Sequence, residues 1–198
     1  MRRLCLTVCA LALAASARAA AITWTGGAVG DWSVASNWSP AGVTGPADAV
    51  SIPSGTVVAY SSNAALSVGS LSLGSAGAAP AAILQISTGL AVGGVLLLQN
   101  GAALQVASTE AVSAQNISLA AGTSVAFTVP ASTLSQGPSL RLYISGSLTV
   151  AGGSTITARG RGYERGIGAT AGAGAGGGGA GSAASGGGGG GHGGAGGD

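Results

Sequence analysis

Apolar and small polar residues alternate along much of this chain, and one short version of the alternation recurs. Each complete copy has the pattern Φ-x-Φ-x-x-Gly-x-x-Φ-x-Φ, in which Φ is an apolar residue and x is any residue. The copies start at Val50, Leu71, Leu96, Ile117 and Leu148, so the spacings are 21, 25, 21 and 31 residues. Alternation with period two is typical of half-buried strands, and the glycine indicates a tight corner.

Two irregularities accompany this repeat. The second copy is interrupted by an Ala/Gly/Pro-rich insert from Gly74 to Ala82, and its second apolar pair resumes at Leu84. A third apolar pair precedes several copies by five or six residues, at Leu66-x-Val68, Leu90-x-Val92 and Leu142-x-Ile144. We expect the insertions of four and ten residues behind the longer spacings to form loops at one corner.

A unit of this length cannot close a core alone, so successive units must stack. Stacking places one apolar position of each copy in a single interior column, with about 4.8 Å between neighbours: Ile52, Leu73, Leu98, Leu119 and Val150. The sequence therefore predicts an all-β protein, a parallel β-helix of about five coils over residues 50–158. An antiparallel sandwich is the rival fold, and the constant register and the absence of Asp-Gly hairpin turns disfavour it.

Residues 1–19 have the features of a secretory signal peptide. Two arginines open the segment, an apolar run from Leu4 to Ala15 follows, and Ala17-Arg18-Ala19 provides a small-x-small cleavage site. The apolar run is too short to span a bilayer. Both cysteines, Cys5 and Cys9, lie here, so we expect a secreted or cell-surface protein without disulfides or a stable transmembrane segment after cleavage.

Residues 20–49 differ from the repeats because they contain all three tryptophans, Trp24, Trp32 and Trp38. The open end of a β-helix exposes backbone groups and apolar side chains, so we interpret this segment as an N-terminal cap. The alternative interpretation is that the three indoles stack against sugar rings. At the other end, the Gly/Ala-rich composition of residues 159–198 predicts a disordered low-complexity segment.

The segment that carries the tryptophans also resembles a known family. Its motifs Thr-Trp-Thr-Gly-Gly, Asp-Trp, Ala-Ser-Asn-Trp and Gly-Pro-Ala-Asp-Ala-Val-Ser-Ile, within residues 22–60, are similar to the opening of bacterial autotransporter-like surface proteins with β-helical passengers. The resemblance implies a large exported surface protein, often an adhesin. The chain departs from that family in lacking a long passenger and a C-terminal membrane barrel, so we expect it to be the N-terminal portion of a longer protein.

The charge balance excludes one class of partner. The whole chain has a formal net charge of +2 and only 6% charged residues. Removing residues 1–19 takes away three arginines and leaves four against five acids, a net charge of −1. Nucleic-acid binding therefore has no electrostatic support.

The inventory of catalytic side chains is small. The carboxylates are far apart in sequence, and no two have the spacing that would stack them in the repeat region: Asp31, Asp48, Glu110, Glu164 and Asp198. Polysaccharide-cleaving enzymes need neighbouring carboxylates. His192 is the only histidine, so we expect no catalytic, metal or cofactor site in this segment.

These observations predict an exported structural or adhesive surface protein without catalytic activity, with a host-surface or polysaccharide ligand. Two alternatives remain. The chain is the N-terminal part of a carbohydrate-active β-helix enzyme, or a small carbohydrate-binding module that uses Trp24, Trp32 and Trp38. An uncovered last coil would also expose strand edges, and we then expect self-association through that open end.

Overall fold

The chain folds into a β-solenoid, a parallel β-helix, as the computed structural model shows for residues 19–42, 44–77, 80–108, 110–127 and 141–157. Fifteen strands in these ranges form two sheets. The predicted signal peptide before residue 19, the ten-residue insertion around residues 128–140 and the Gly/Ala-rich segment after residue 157 lie outside the described residues.

The first sheet contains nine strands. They are β1 (Ala21–Trp24), β3 (Trp38–Ser39), β4 (Ala49–Ile52), β6 (Leu66–Val68), β7 (Ser70–Leu73), β9 (Leu90–Leu98), β11 (Val112–Leu119), β13 (Leu142–Ile144) and β14 (Leu148–Val150). The second contains six strands: β2 (Val29–Asp31), β5 (Val57–Tyr60), β8 (Ile83–Ile86), β10 (Ala103–Val106), β12 (Ser124–Phe127) and β15 (Thr155–Thr157). A 3-10 turn covers Ala35–Asn37.

The register of the first sheet confirms the stacking expected from the repeat. Parallel pairing places the starts of the five copies opposite one another in order: Val50, Leu71, Leu96, Ile117 and Leu148. The predicted interior column pairs in the same way, from Ile52 through Leu98 to Val150. Each buried Leu or Ile of such a column contributes about 1.5–3 kcal/mol by leaving water.

Strand pairing in the second sheet shows where the interrupted second copy of the repeat continues. Leu84 pairs with Val58 on one side and with Leu104 on the other, so the copy does resume after the insert. The insert from Gly74 to Ala82 connects β7 to β8 at one corner, as expected. Val58, Leu84 and Leu104 are fully buried, which makes this column the second wall of the core.

The third apolar pair also forms a column, with a member that the sequence pattern missed. Leu66 pairs with Leu90, and Leu90 pairs with Val112 in β11. Val112 in turn pairs with Leu142. Val112-x-Ala114 escaped notice because alanine is a weak apolar signal, although both side chains are buried.

The repeat glycines form the corners between the two sheets. Their φ angles are positive and nearly constant, at 82° for Gly55, 71° for Gly101, 74° for Gly122 and 77° for Gly153. A side chain in this left-handed region costs about 1–2 kcal/mol. The glycine in the pattern is therefore a backbone requirement of the corner, as predicted.

The first rung of the solenoid lies within the tryptophan-rich segment. Strand β1 pairs in parallel with β4, with Ile22 opposite Val50, and β2 pairs in parallel with β5. Gly30 stands opposite Val58, where later rungs carry an apolar side chain. A Cβ on Gly30 would lie 2.9 Å from Cζ2 of Trp24, so the indole occupies the space that a side chain would need.

The N-terminal edge of the first sheet ends in a reversed strand. β3 pairs with β1 in the antiparallel direction, with Trp38 opposite Trp24. A two-residue antiparallel strand interrupts the run of parallel rungs, a common way to blunt an exposed edge. None of the helices in the described ranges is long and apolar enough to cross a membrane.

Candidate binding surfaces

The three tryptophans form one buried cluster. The ring centroids of Trp24 and Trp38 lie 5.0 Å apart at 83°, and those of Trp32 and Trp38 lie 4.6 Å apart at 64°. Tyr60 extends the cluster, with its ring centroid 6.2 Å from that of Trp32. Edge-to-face geometry of this kind adds about 0.5–1.5 kcal/mol per pair beyond the burial itself.

Each indole N–H has a partner inside the protein. Trp38 Nε1 donates to the carbonyl oxygen of Trp32 at 2.7 Å, and Trp24 Nε1 donates to that of Gly27 at 2.9 Å. Trp32 Nε1 donates to the Thr44 hydroxyl at 3.0 Å. The rings are 1–2% exposed. A sugar platform needs an open ring face, so the stacking role considered for Trp24, Trp32 and Trp38 does not fit this packing.

Asp31 and Asp48 serve different parts of the backbone. Asp31 Oδ1 accepts hydrogen bonds from the hydroxyl of Ser33 at 2.6 Å and from its amide at 2.7 Å. These two bonds hold the pKa of Asp31 below its ordinary value. Asp48 accepts from the amides of Gly45 at 2.6 Å and Ala20 at 3.0 Å. The Ser33–Asp31 and Gly45–Asp48 bonds are local turn contacts, whereas the Ala20–Asp48 bond joins residues 28 apart in the chain.

Glu110 joins two consecutive rungs. Its Oε2 accepts a hydrogen bond from the Gly89 amide at 2.7 Å and another from the Thr88 hydroxyl at 2.9 Å. The bond from the Gly89 amide, followed by that from Thr88, lowers the pKa of Glu110. A Cβ on Gly89 would lie 2.9 Å from the same oxygen. Sequence reasoning treated Glu110 as isolated, although Gly89 stands 21 residues before it, which is one repeat length.

One line of outward positions in the first sheet, the hydroxyl column, consists almost entirely of serine and threonine. Parallel register places six residues in line, and five of them carry a hydroxyl: Thr23, Ser51, Ser72, Leu97, Ser118 and Thr149. Neighbours in such a column are separated by about 4.8 Å. The column therefore presents hydroxyl groups at a regular spacing along the solenoid axis.

The second sheet presents a pair of stacked amide side chains. Gln85 lies opposite Gln105, and Gln85 Nε2 donates to Gln105 Oε1 at 2.9 Å. The two side chains line a shallow surface groove of about 230 Å³ together with Tyr60 and Ser87. Both amide N–H groups of Gln105, one amide N–H of Gln85 and the carbonyl oxygen of Gln85 take no part in that bond.

A second groove of about 380 Å³ crosses the other column of the first sheet. Its lining includes Ser113, Gln115, Tyr143 and Ser145. Tyr143 is 59% exposed, so its ring is open to solvent, in contrast with the buried indoles. Both grooves thus combine a tyrosine with neutral hydrogen-bonding side chains.

Few ionisable groups stand among these surfaces. In the ranges that the structure covers, the charged residues are Asp31, Asp48, Glu110 and Arg141. No group of three or more His, Cys, Asp or Glu residues within those ranges has the arrangement of a metal site. Comparison of the chain with protein-family models, with curated proteins and with solved structures gave no match.

Proposed function

We propose that this protein is an exported, non-catalytic surface protein that adheres through the neutral polar columns of its β-solenoid, and that its ligand is an uncharged polysaccharide. The observation that supports the proposal is the line of hydroxyl groups in register along the first sheet, together with the paired amides of Gln85 and Gln105 on the second. A polymer with a regular repeat can meet many such groups at once, and the combined affinity exceeds that of each contact.

The chemistry of the two grooves favours sugar over a protein partner. Tyr60 and Tyr143 each stand beside neutral donors and acceptors, and a tyrosine ring provides an apolar face with a polar tip. Protein interfaces usually have an apolar centre. The hydroxyl column of the first sheet contains one large apolar residue, Leu97, between hydroxyl-bearing neighbours. Polysaccharide hydroxyls are matched by hydroxyl and amide groups.

Export is supported by the arginine-initiated apolar segment and its small-x-small site in residues 1–19. The resemblance of residues 22–60 to autotransporter-like openings and the solenoid fold support a passenger-like role at the cell surface. The described carboxylates hold turns and rungs together, which supports a role without catalysis.

Binding of the chain that begins at Ala20 to dextran, mannan and xylan tests the proposal. The readout is co-sedimentation or calorimetry at low and high salt. We expect binding to at least one polymer that changes little between 50 mM and 500 mM salt, because screening acts on charges. The double variant Gln85→Ala/Gln105→Ala should weaken it at least about fivefold, the equivalent of one neutral hydrogen bond.

The matched control is Ser70→Ala, a conservative change on an outward position of β7 away from that groove. It should leave both the affinity and the unfolding midpoint unchanged. Absence of binding to all three neutral polymers, or binding to an anionic polymer that high salt abolishes, would contradict the proposal.

A further inference from the structure

The backbone nitrogen of Ala20 lies 3.0 Å from Oδ1 of Asp48. This contact follows from the register of the first rung, in which Ala21 pairs with Ala49, so the residues before them also face each other. The carbonyl oxygen of Ala20 accepts a hydrogen bond from the Ala49 amide at 2.8 Å. Both ends of Ala20 are therefore fixed to the start of β4.

Ala20 is also the residue that follows the small-x-small site Ala17-Arg18-Ala19. Cleavage at that site adds water across the Ala19–Ala20 amide bond. The water oxygen ends in the carboxylate of Ala19, and the released amine on Ala20 takes up a proton. An α-amino group has an ordinary pKa of about 7.7–8.0, so it is largely cationic at neutral pH.

We infer that the Asp48 carboxylate is a binding site for the α-ammonium group that signal-peptide cleavage creates on Ala20. The inference rests on the export part of the proposed function. Before cleavage, Ala20 offers Asp48 the N–H of a neutral amide. After cleavage, the same nitrogen carries a full positive charge and three donors, so that attraction between opposite charges adds to the hydrogen bond that the carboxylate already accepts.

The position of Asp48 suits this role better than those of the other described acids. Asp31 is engaged by Ser33, and Glu110 is engaged by Thr88 and Gly89. Asp48 Oδ2 accepts from the Gly45 amide at 2.6 Å, which fixes the orientation of the carboxylate and leaves Oδ1 directed at Ala20. The terminus is partly buried there, so solvent screens the pair less than it screens a freely exposed one.

The consequence is that cleavage between Ala19 and Ala20 increases the stability of the first rung. β1 stands between the reversed strand β3 and the next rung β4. The ammonium–carboxylate pair would fix Ala20, the residue directly before β1, to the residue directly before β4. Processing would thereby couple to the stability of the rung on which the later rungs stack.

The test uses the chain from Ala20 onward, released from a fusion by a protease that leaves no extra residue. It is compared with the same chain N-acetylated, each with and without Asp48→Asn. NMR titration of ¹⁵N-labelled Ala20 should place its amine pKa above the ordinary range of about 7.7–8.0 in the parent and back within it in Asp48→Asn. Acetylation should raise the unfolding equilibrium constant about fivefold in the parent and leave Asp48→Asn unchanged.

The control is Asp31→Asn, which should leave the amine titration of Ala20 as it is in the parent. An amine that titrates identically in the parent and in Asp48→Asn would overturn the inference, as would equal effects of acetylation in both. N-terminal sequencing of the exported protein is a separate measurement. An N-terminus other than Ala20 would overturn both the inference and the predicted cleavage site. An N-terminus at Ala20 whose amine pKa stays in the ordinary range would overturn the inference alone and would leave the proposed adhesive function unaffected.

Discussion

Leu96 and Leu148 occupy the same place in the repeat, yet one lies in the core and the other at the surface. Leu96 is 0% exposed, whereas Leu148 is 45% exposed. Both pair with Ile117, one from each side. Val150 shows the same contrast with its column partner Leu119, at 46% against 1%.

The difference shows that burial in this fold depends on neighbouring rungs rather than on the residue. A middle rung is covered on both sides, while β14 pairs with β11 and, in the part of the chain that the structure describes, with no strand beyond it. At the opposite end, the indoles and the reversed strand β3 keep the first rung buried. Within the described residues, the N-terminal rung is covered by side chains and a strand of the chain itself, whereas β14 is paired on one side only.

The largest expected effect comes from removing an indole that covers the N-terminal rung of the solenoid. Trp38 lies between the other two indoles, and Trp38→Ala should destabilise the protein by about 3–5 kcal/mol because it removes a fully buried ring. Urea denaturation followed by circular dichroism measures the change. Tyr143→Ala, an aromatic truncation in the exposed last rung, is the matched control and should stay within about 0.5 kcal/mol.

The second prediction tests the contrast within one column. Leu96→Ala should cost about 2–5 kcal/mol, as for other buried leucines, and Leu148→Ala less than about 1 kcal/mol, because its side chain is already half in water. The two variants are compared by their unfolding midpoints in urea. Equal losses would mean that the last rung is covered in solution and would remove the contrast between the ends.

The third prediction concerns the corner glycines, whose positive φ angle stays nearly constant along the solenoid. Gly122 and Gly153 have φ angles of 74° and 77° at corners in a middle rung and in the last rung. Gly122→Ala and Gly153→Ala should each cost about 1–2 kcal/mol, since the penalty belongs to the local backbone and not to burial. Thermal unfolding of both variants measures it. A clearly smaller loss for Gly153→Ala would show that the last corner relaxes.

The smallest expected effect is a change in pH dependence. The pKa of Glu110 is lowered from its ordinary value of 4.5 by its bonds to Gly89 and Thr88. A lowered pKa contributes stability that is present above the unfolded value and is lost as the pH falls through the folded one. Glu110→Gln should therefore flatten the acid limb of the stability curve just below pH 4.5.

Asp31→Asn, in the first rung, is the variant with which the pH dependence of Glu110→Gln is compared. The pKa of Asp31 is lowered from 3.8, so its contribution should begin to be lost below pH 3.8, whereas that of Glu110 begins to be lost below pH 4.5. Urea midpoints measured at pH values from 6 down to 3 separate the two variants. Parallel acid limbs for the parent and Glu110→Gln would contradict the role of Glu110 as a clamp between rungs.

The sequence predicted those parts of the fold that depend on a strict period. The starts of the five copies, the interior column from Ile52 to Leu119 and the glycine corners follow from alternation and spacing alone, because a slip of one residue would turn every inward side chain outward. Val150 keeps the register of that column but is 46% exposed, so its predicted interior position is wrong. The interrupted copy at Leu84 was recoverable for the same reason. Each of these elements has a physical requirement that only certain residue types meet.

The features that escaped prediction depend on contacts between distant residues. Ile22-x-Trp24 followed by Gly27 fits the first half of the repeat, but Gly30 hides the second half because the Trp24 indole fills its space. The edge-to-face packing of the tryptophans within the predicted cap likewise follows from how β1, β3 and β5 meet, which composition does not encode. The Asp48–Ala20 contact became visible only once β1 and β4 were seen to pair.

Stacking of the rungs in register is the claim on which the columns, the grooves and the contrast between the ends all depend. Spin labels on cysteines introduced at Thr23 and Ser118, with Cys5 and Cys9 absent from the chain that starts at Ala20, test it by pulsed electron resonance. The two positions are four rungs apart in the outward column, so we expect one narrow distance distribution centred near about 19 Å plus the reach of the labels. A second pair at Thr23 and Leu97, three rungs apart, should read about 5 Å shorter. A broad distribution, or a distance that does not shorten with the rung count, would contradict the parallel stack.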